Sequence, residues 1–147
     1  WPDEKMARQQ MRSLIPYVDL MKISDEETEL LTDEKEVEKA AETLYRQGVK
    51  IVAVTLGRKG AYIYSKDGGC VVPGFEVSQI GDTNGAGDSF WGGFLYQTIV
   101  SGKRLEELTK DDLVKFARFG NAVASLCVEK KGAIPAMPTL EQDKKRL

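Results

Sequence analysis

Histidine is absent from this 147-residue chain. A Ser-His-Asp or Cys-His mechanism therefore cannot be assembled from its own residues, and neither can a histidine-ligated metal centre. Cysteine occurs at Cys70 and Cys127 alone, far apart and without metal-type spacing, and the two read as reduced, buried thiols of a cytoplasmic protein. No apolar run approaches the length that spans a bilayer, and nothing at the start reads as a signal peptide. An excess of one charge is lacking too. Lys plus Arg (21) nearly balances Asp plus Glu (23), and the charges are interspersed, so no basic face for nucleic acid stands out. Neither a Walker A loop nor a GxGxxG dinucleotide fingerprint occurs, and there is no internal repeat. The chemistry left is that of carboxylates, helped by backbone N–H groups, lysines and any bound cation.

What is present alternates. Asp3 to Leu14 carries Met6, Met11 and Leu14 among good helix formers, and Val18, Leu20 and Ile23 suit a short buried strand. Ser24 and Glu27 have the spacing of a capping box for a short acidic helix through Leu31. A further helix is expected from Thr32 or Asp33, with Val37, Ala40, Ala41 and Leu44 on one face and Gly48 as its C-terminal stop. Lys50 to Leu56 is a near-continuous β-branched run, the pattern of a strand covered on both faces. AYIYS and CVVPG, joined by Lys66-Asp67-Gly68-Gly69, read as a hairpin. Two longer helices are expected at about 85–100 and 111–129, then a Pro-containing tail. Such alternation predicts a single α/β layer structure with a mainly parallel sheet.

The run GDTNGAGDSFWGG, Gly81 to Gly93, carries most of the chemistry. Asp88 follows a Gly-Ala-Gly turn that opens into an apolar, helix-compatible segment. A glycine-rich turn can aim successive N–H groups at one point, and the first turn of a helix adds unpaired N–H groups and partial positive charge there. Phosphoryl transfer needs that environment, and a carboxylate at its edge could take the proton of an attacking hydroxyl. The plainer reading is a loop-to-helix junction with Asp88 as a cap. TLGRKGAYIY, Thr55 to Tyr64, places Gly57 and Gly60 at the end of a buried strand, where open α/β sheets bind ligands. A tight turn needing positive φ would explain the same glycines. KKGAIPAMPT, Lys130 to Thr139, could line a pocket, though its residue types demand only a turn. Gly92 and Gly93, inside the expected helix, point to close packing.

Together these segments resemble the ribokinase-like sugar kinases, the PfkB family. DTNGAGDSFWGGF has the Asp-Thr-x-Gly-Ala-Gly-Asp form of that family's C-terminal signature, TLGRKGA matches its nucleotide turn, and GNAVASLCVEKKGAIPAMPT matches its closing helix and loop. MKISDEETELLT and WPDEKMARQQM look most like fructokinase segments. Two positions depart from the pattern. Ser24 begins a segment where many relatives have Asn-x-x-Glu, and Asn84 stands where many have Thr.

The resemblance implies a three-layer α/β/α ribokinase-like fold and ATP-dependent phosphorylation of a sugar hydroxyl, fructose foremost, with ribose, 2-keto-3-deoxygluconate and nucleosides as alternatives. It implies Asp88 as catalytic base and the N–H groups of Gly85, Ala86, Gly87 and Asp88 as an anion hole. Thr55, Gly57 and Gly60 would border the nucleotide phosphates and ribose, and Asn121 with Ala122 would flank the adenine. Glu27 would act on Mg²⁺ through water, and Asp82 and Gly132 would lie near a monovalent-cation site for K⁺. It also implies a cytoplasmic homodimer that engages neither nucleic acid nor membrane. Family members are about twice this long, so residues 1–147 are expected to be the C-terminal part of one kinase domain, with the sugar-recognising half and lid upstream. Two other readings stay open: a catalytically silent nucleotide-binding regulator, and a structural domain whose glycines serve packing.

Overall fold

The computed structural model describes residues 3–147. Trp1 and Pro2, which open the WPDEK segment of the resemblance, lie outside the described residues. The chain divides into two compact units, one of residues 1–56 and 62–70, the other of residues 57–61 and 71–147.

The first unit holds helices α1 (Glu4–Leu14), α2 (Thr28–Thr32) and α3 (Val37–Arg46) and strands β1 (Leu20–Ser24) and β2 (Ile51–Thr55). Strands β3 (Ala61–Ser65) and β4 (Gly68–Val72) complete a sheet of order β1-β2-β3-β4. β1 and β2 pair in parallel, Ile23 opposite Val54, and the crossover between them carries α2 and α3. The short links from β2 to β3 and from β3 to β4 leave no room for a crossover, so those strands run antiparallel to their neighbours. Ile51 to Val54 are all buried, as the β-branched run foretold. The hairpin turns on Lys66 and Asp67, while Gly68 and Gly69 enter β4 instead of the turn. Ile15, Ile23, Leu31, Leu44, Val49, Val52 and Val54 form the core.

Helix α3 starts later than expected. Asp33 takes a left-handed conformation (φ 65°) that ends α2. Its carboxylate accepts hydrogen bonds from Arg8 (2.8 Å) and Arg12 (2.9 Å). The guanidinium of Arg12 holds that carboxyl below its ordinary range. An aspartate so engaged stops one helix and cannot cap the next, which begins only after Glu36.

The second unit is built on α4 (Ala86–Val100) and α5 (Lys110–Val128), followed by α6 (Leu140–Arg146). Thr109 caps α5: its hydroxyl accepts from the Asp112 amide, and its own amide donates to the Asp112 carboxylate (3.0 Å). α4 and α5 approach until backbone meets side chain. A Cβ added to Gly93 would lie 2.9 Å from Val123 Cγ2, and one on Gly120 would lie 2.7 Å from the Phe90 carbonyl oxygen. Gly92, by contrast, faces open space, so of the two glycines expected to mark close packing only Gly93 does. The buried rings of Phe94 and Phe116 meet edge to face at 6.1 Å. Full burial of one such ring stabilises by roughly 1.5–3 kcal/mol. Among the described residues no helix is long and apolar enough to cross a membrane.

Candidate active site

The second unit contains a cavity of about 870 Å³. Ligand pockets commonly span about 300–1,000 Å³, so a nucleotide-sized molecule is within reach. One wall is a single face of α5, where Asn121, Ala124, Ser125 and Val128 recur at helical spacing. That stripe was readable in the sequence, although only Asn121 was singled out there. The turn Gly57–Gly60 forms a second wall and the stretch Gly74–Ser78 a third. Phe75 is held by the Arg118 guanidinium, 5.3 Å from its ring centre. Glu129 and Arg146 also line the cavity, joined by an ion pair of 2.7 Å between the end of α5 and α6. Sequence reasoning missed this pair, since nothing local joins residues on two separate helices.

Thr83 and Ala86 bring the cavity to the foot of α4. There Gly85 takes a left-handed conformation (φ 79°) as the N-terminal cap, without a side-chain hydrogen bond. The need for positive φ therefore falls on Gly85, whereas Gly87 lies inside the helix. The Ala86 N–H is already donated to the Thr83 carbonyl (3.3 Å), and Ser89 N–H to Gly85 O (2.8 Å). The amides of Gly87 and Asp88 carry no backbone partner among the described residues, as helix geometry requires of a first turn. Asp88 itself is exposed and caps nothing.

The closing loop packs on this turn. A Cβ on Gly85 would come within 2.8 Å of the Ala133 Cβ, and Gly81 N–H donates to Val128 O at 2.7 Å. Asp82 fastens both sides, accepting from the Asn84 amide on Oδ1 (3.0 Å) and from the Gly132 amide on Oδ2 (3.3 Å). Those amides, Asn84 first, hold its carboxyl below the ordinary range. The structure thus brings Asp82, Gly85 and Gly132 together. Gly132 meets Asp82 through its N–H, so a cation there would have to use other oxygen lone pairs. Among the described residues no cluster of three or more His, Cys, Asp or Glu could hold a metal ion.

Asn121 and Ala122 differ. Both amide protons of Asn121 go to backbone carbonyls, of Val72 and Pro73, each at 3.0 Å. Ala122 is fully buried and does not line the cavity, because it faces the interior one helical step away. In the first unit, the Thr55 hydroxyl donates to Ile23 O (3.3 Å) at the end of β2. Glu27 Oε2 accepts the Ser24 N–H (2.7 Å) and hydroxyl (3.2 Å), which realises the expected pairing and leaves Oε1 available.

A nucleotide-sized cavity thus opens on a glycine turn and reaches a helix N-terminus, and likeness to solved structures places the fold among ribokinase-like α/β proteins. The chain matches a double mutant of the fructokinase of Vibrio cholerae O395, in a form bound to fructose, ADP and potassium, with a TM-score of 0.89 at 26% identity, covering 100% of this chain and 46% of that one. It matches the ribokinase of Thermotoga maritima with a TM-score of 0.77 at 31% identity, covering 92% and 44%. The description "pfkB family carbohydrate kinase" fits residues 1–140, and the chain belongs to that family. It is 41% identical over 140 residues to probable fructokinase-2 of Arabidopsis thaliana, covering 95% of this chain and 42% of the relative. Fructokinase-1 of Zea mays is 39% identical over 140 residues, with the same coverage of 95% and 42%. The chain therefore spans about two fifths of these relatives' length.

Proposed function

We propose that this chain supplies the nucleotide-binding and catalytic portion of an ATP-dependent sugar kinase that converts fructose to fructose 6-phosphate. The observation that carries the reading is the first turn of α4. It offers an exposed carboxylate that caps nothing and two amides with no backbone partner among the described residues, in the helix turn whose first residue, Ala86, lines a nucleotide-sized cavity. The Asp88 carboxylate accepts the proton of the sugar hydroxyl as its oxygen bonds to the terminal phosphorus. The bond from that phosphorus to the ADP leaving oxygen breaks. The amides of Gly87 and Asp88, with the positive end of α4, stabilise the charge spread over the transferring group. Gly57 and Gly60 let the nucleotide approach the backbone, and Thr55 belongs to the same turn-forming motif.

Mg²⁺ would neutralise phosphate charge, with the free Oε1 of Glu27 suited to one of its waters. K⁺ would lie by the Asp82–Gly132 loop, a reading supported by the potassium-bound form of the Vibrio cholerae fructokinase. A homodimer of the full-length protein belongs to the same reading. A silent nucleotide binder has no use for a bare carboxylate beside a polyphosphate, whereas a purely structural junction would ask of Asp88 only its favourable charge in the first helical turn. The test is ATP protection of the full-length protein against thermal unfolding, then turnover with fructose, ribose and 2-keto-3-deoxygluconate. Asp88→Asn should lower kcat by about 10²–10⁴-fold with ATP affinity little changed. A variant keeping more than a tenth of the activity sinks the assignment.

A further inference from the structure

Two adjacent residues of α5 touch both glycine motifs. Asn121 is 6% exposed, and its amide spans the carbonyls of Val72 and Pro73. The segment it grips is the mould of the Gly57–Gly60 turn. A Cβ on Gly60 would collide with the Val72 carbonyl and the Gly74 amide, and one on Gly74 would lie 2.7 Å from the Arg58 carbonyl oxygen. The Gly74 N–H donates to Lys59 O (3.3 Å), and the Gly60 N–H closes the turn on Gly57 O (3.1 Å). On the neighbouring residue, the bare Cα of Gly120 lets α5 meet Phe90, two residues beyond Asp88.

We infer that Gly120–Asn121 is the register pin of the site. It fixes the spacing between the turn that takes the nucleotide and the turn of α4 that takes the transferring phosphate. Asn121 acts as a positioning residue whose amide protons are not offered to a purine. Both its protons are committed to the main chain, and an amide is the one small side chain able to donate to two successive carbonyls. Aspartate would set oxygen against oxygen, and alanine would release the grip while leaving α5 intact. The inference deepens the kinase reading and rests on it for the identity of the ligand.

The experiment compares wild type, Asn121→Ala and Gly74→Ala in the full-length protein. Gly74→Ala wedges the same contact open from the turn's side without altering α5. Both variants should speed amide exchange at Gly60 and Gly74 by about tenfold or more relative to amides in the middle of α5. Both should raise KM for ATP by roughly tenfold, the scale of one or two lost neutral hydrogen bonds. The preference for ATP over GTP should stay unchanged. Unaltered exchange at Gly60 and Gly74 overturns the pin, and so does a collapse of the ATP-over-GTP preference in Asn121→Ala, which would make Asn121 a base contact. If Asn121→Ala does not fold, the same two readouts are taken on Asn121→Ser, which keeps at most one of the two donors. If wild type binds no ATP, the kinase reading fails, and exchange at the two amides still judges the pin.

Discussion

Asp82 and Gly132 are joined across the second unit, the carboxylate of one accepting the amide of the other at 3.3 Å. The same carboxylate accepts the Asn84 amide, and these bonds hold its pKa below the ordinary range. A carboxyl depressed in the folded state contributes stability above its unfolded pKa and loses it as pH falls toward the folded value. Asp82→Ala should therefore melt below wild type at pH 7, and the gap should narrow as pH drops through and below the usual carboxylate range. Thermal melts in parallel from pH 7 to pH 3 measure it. A gap that is constant with pH would mean the carboxylate charge has no part in holding the loop.

Gly87 and Gly102 separate activity from stability. Gly87 sits in the first turn of α4, where helical backbone accepts any L-residue, so Gly87→Val should fold and lose phosphoryl transfer by blocking the approach to its amide. Gly102 follows the end of α4 at φ 65° with open space around it. Gly102→Val should cost about 1 kcal/mol or more through backbone strain and leave turnover in place. Circular dichroism melts with a coupled kinase assay tell the two apart. An active Gly87→Val beside an inactive Gly102→Val would remove the phosphate cradle from α4.

Neighbouring glycines in α4 should respond with opposite sign. Gly92→Ala fills open space and removes a helix-interior glycine, a gain of about 0.5–1 kcal/mol. Gly93→Ala drives a methyl into Val123 and the Gly120 backbone, a loss of about 1–3 kcal/mol. Denaturant titration of each single variant resolves both signs. Equal effects would mean the α4–α5 contact is looser than the structure has it.

Asp143 on α6 is 5% exposed, and its Oδ1 has no hydrogen-bond partner. Burial pushes its carboxyl above the ordinary range. A carboxyl raised in the folded state favours folding below its unfolded pKa, and that contribution is lost as pH rises through the folded value. Asp143→Asn should accordingly raise Tm at pH 7, with the advantage shrinking toward pH 4. A variant less stable than wild type at pH 7 would show that the charged carboxylate has a favourable partner.

Local pattern carried far into the fold. The β-branched run of β2, the hairpin and the spans of α4 and α5 were legible because period and turn chemistry act within a few residues. The family was legible because the motif Asp82 to Asp88 is one unbroken stretch of chain whose residue types and spacing are read directly. What could not be read depended on distant partners. Asp33 reads as a helix start until Arg8 and Arg12 claim its carboxylate from another helix. Asn121 does line the cavity, but that Val72 and Pro73, far back in the chain, take both its protons could not be read locally. Gly120 looked like any small helical residue, and its partner is a carbonyl on α4. The Glu129–Arg146 pair is invisible for the same reason.

The sheet runs β1-β2-β3-β4 in the order of the chain, and that order has a consequence in time. β2, β3 and β4 are joined by short links, so closing them costs little loop entropy, and hairpins of this kind form in about 1–10 μs. β1 must wait for the whole α2–α3 crossover to fold back before Ile23 finds Val54. The expected order, meander first and parallel strand last, would make β1 the first strand to be released. Ile23→Ala should therefore act mainly on the unfolding rate, while Val52→Ala, in the strand that seeds the sheet, should act on folding.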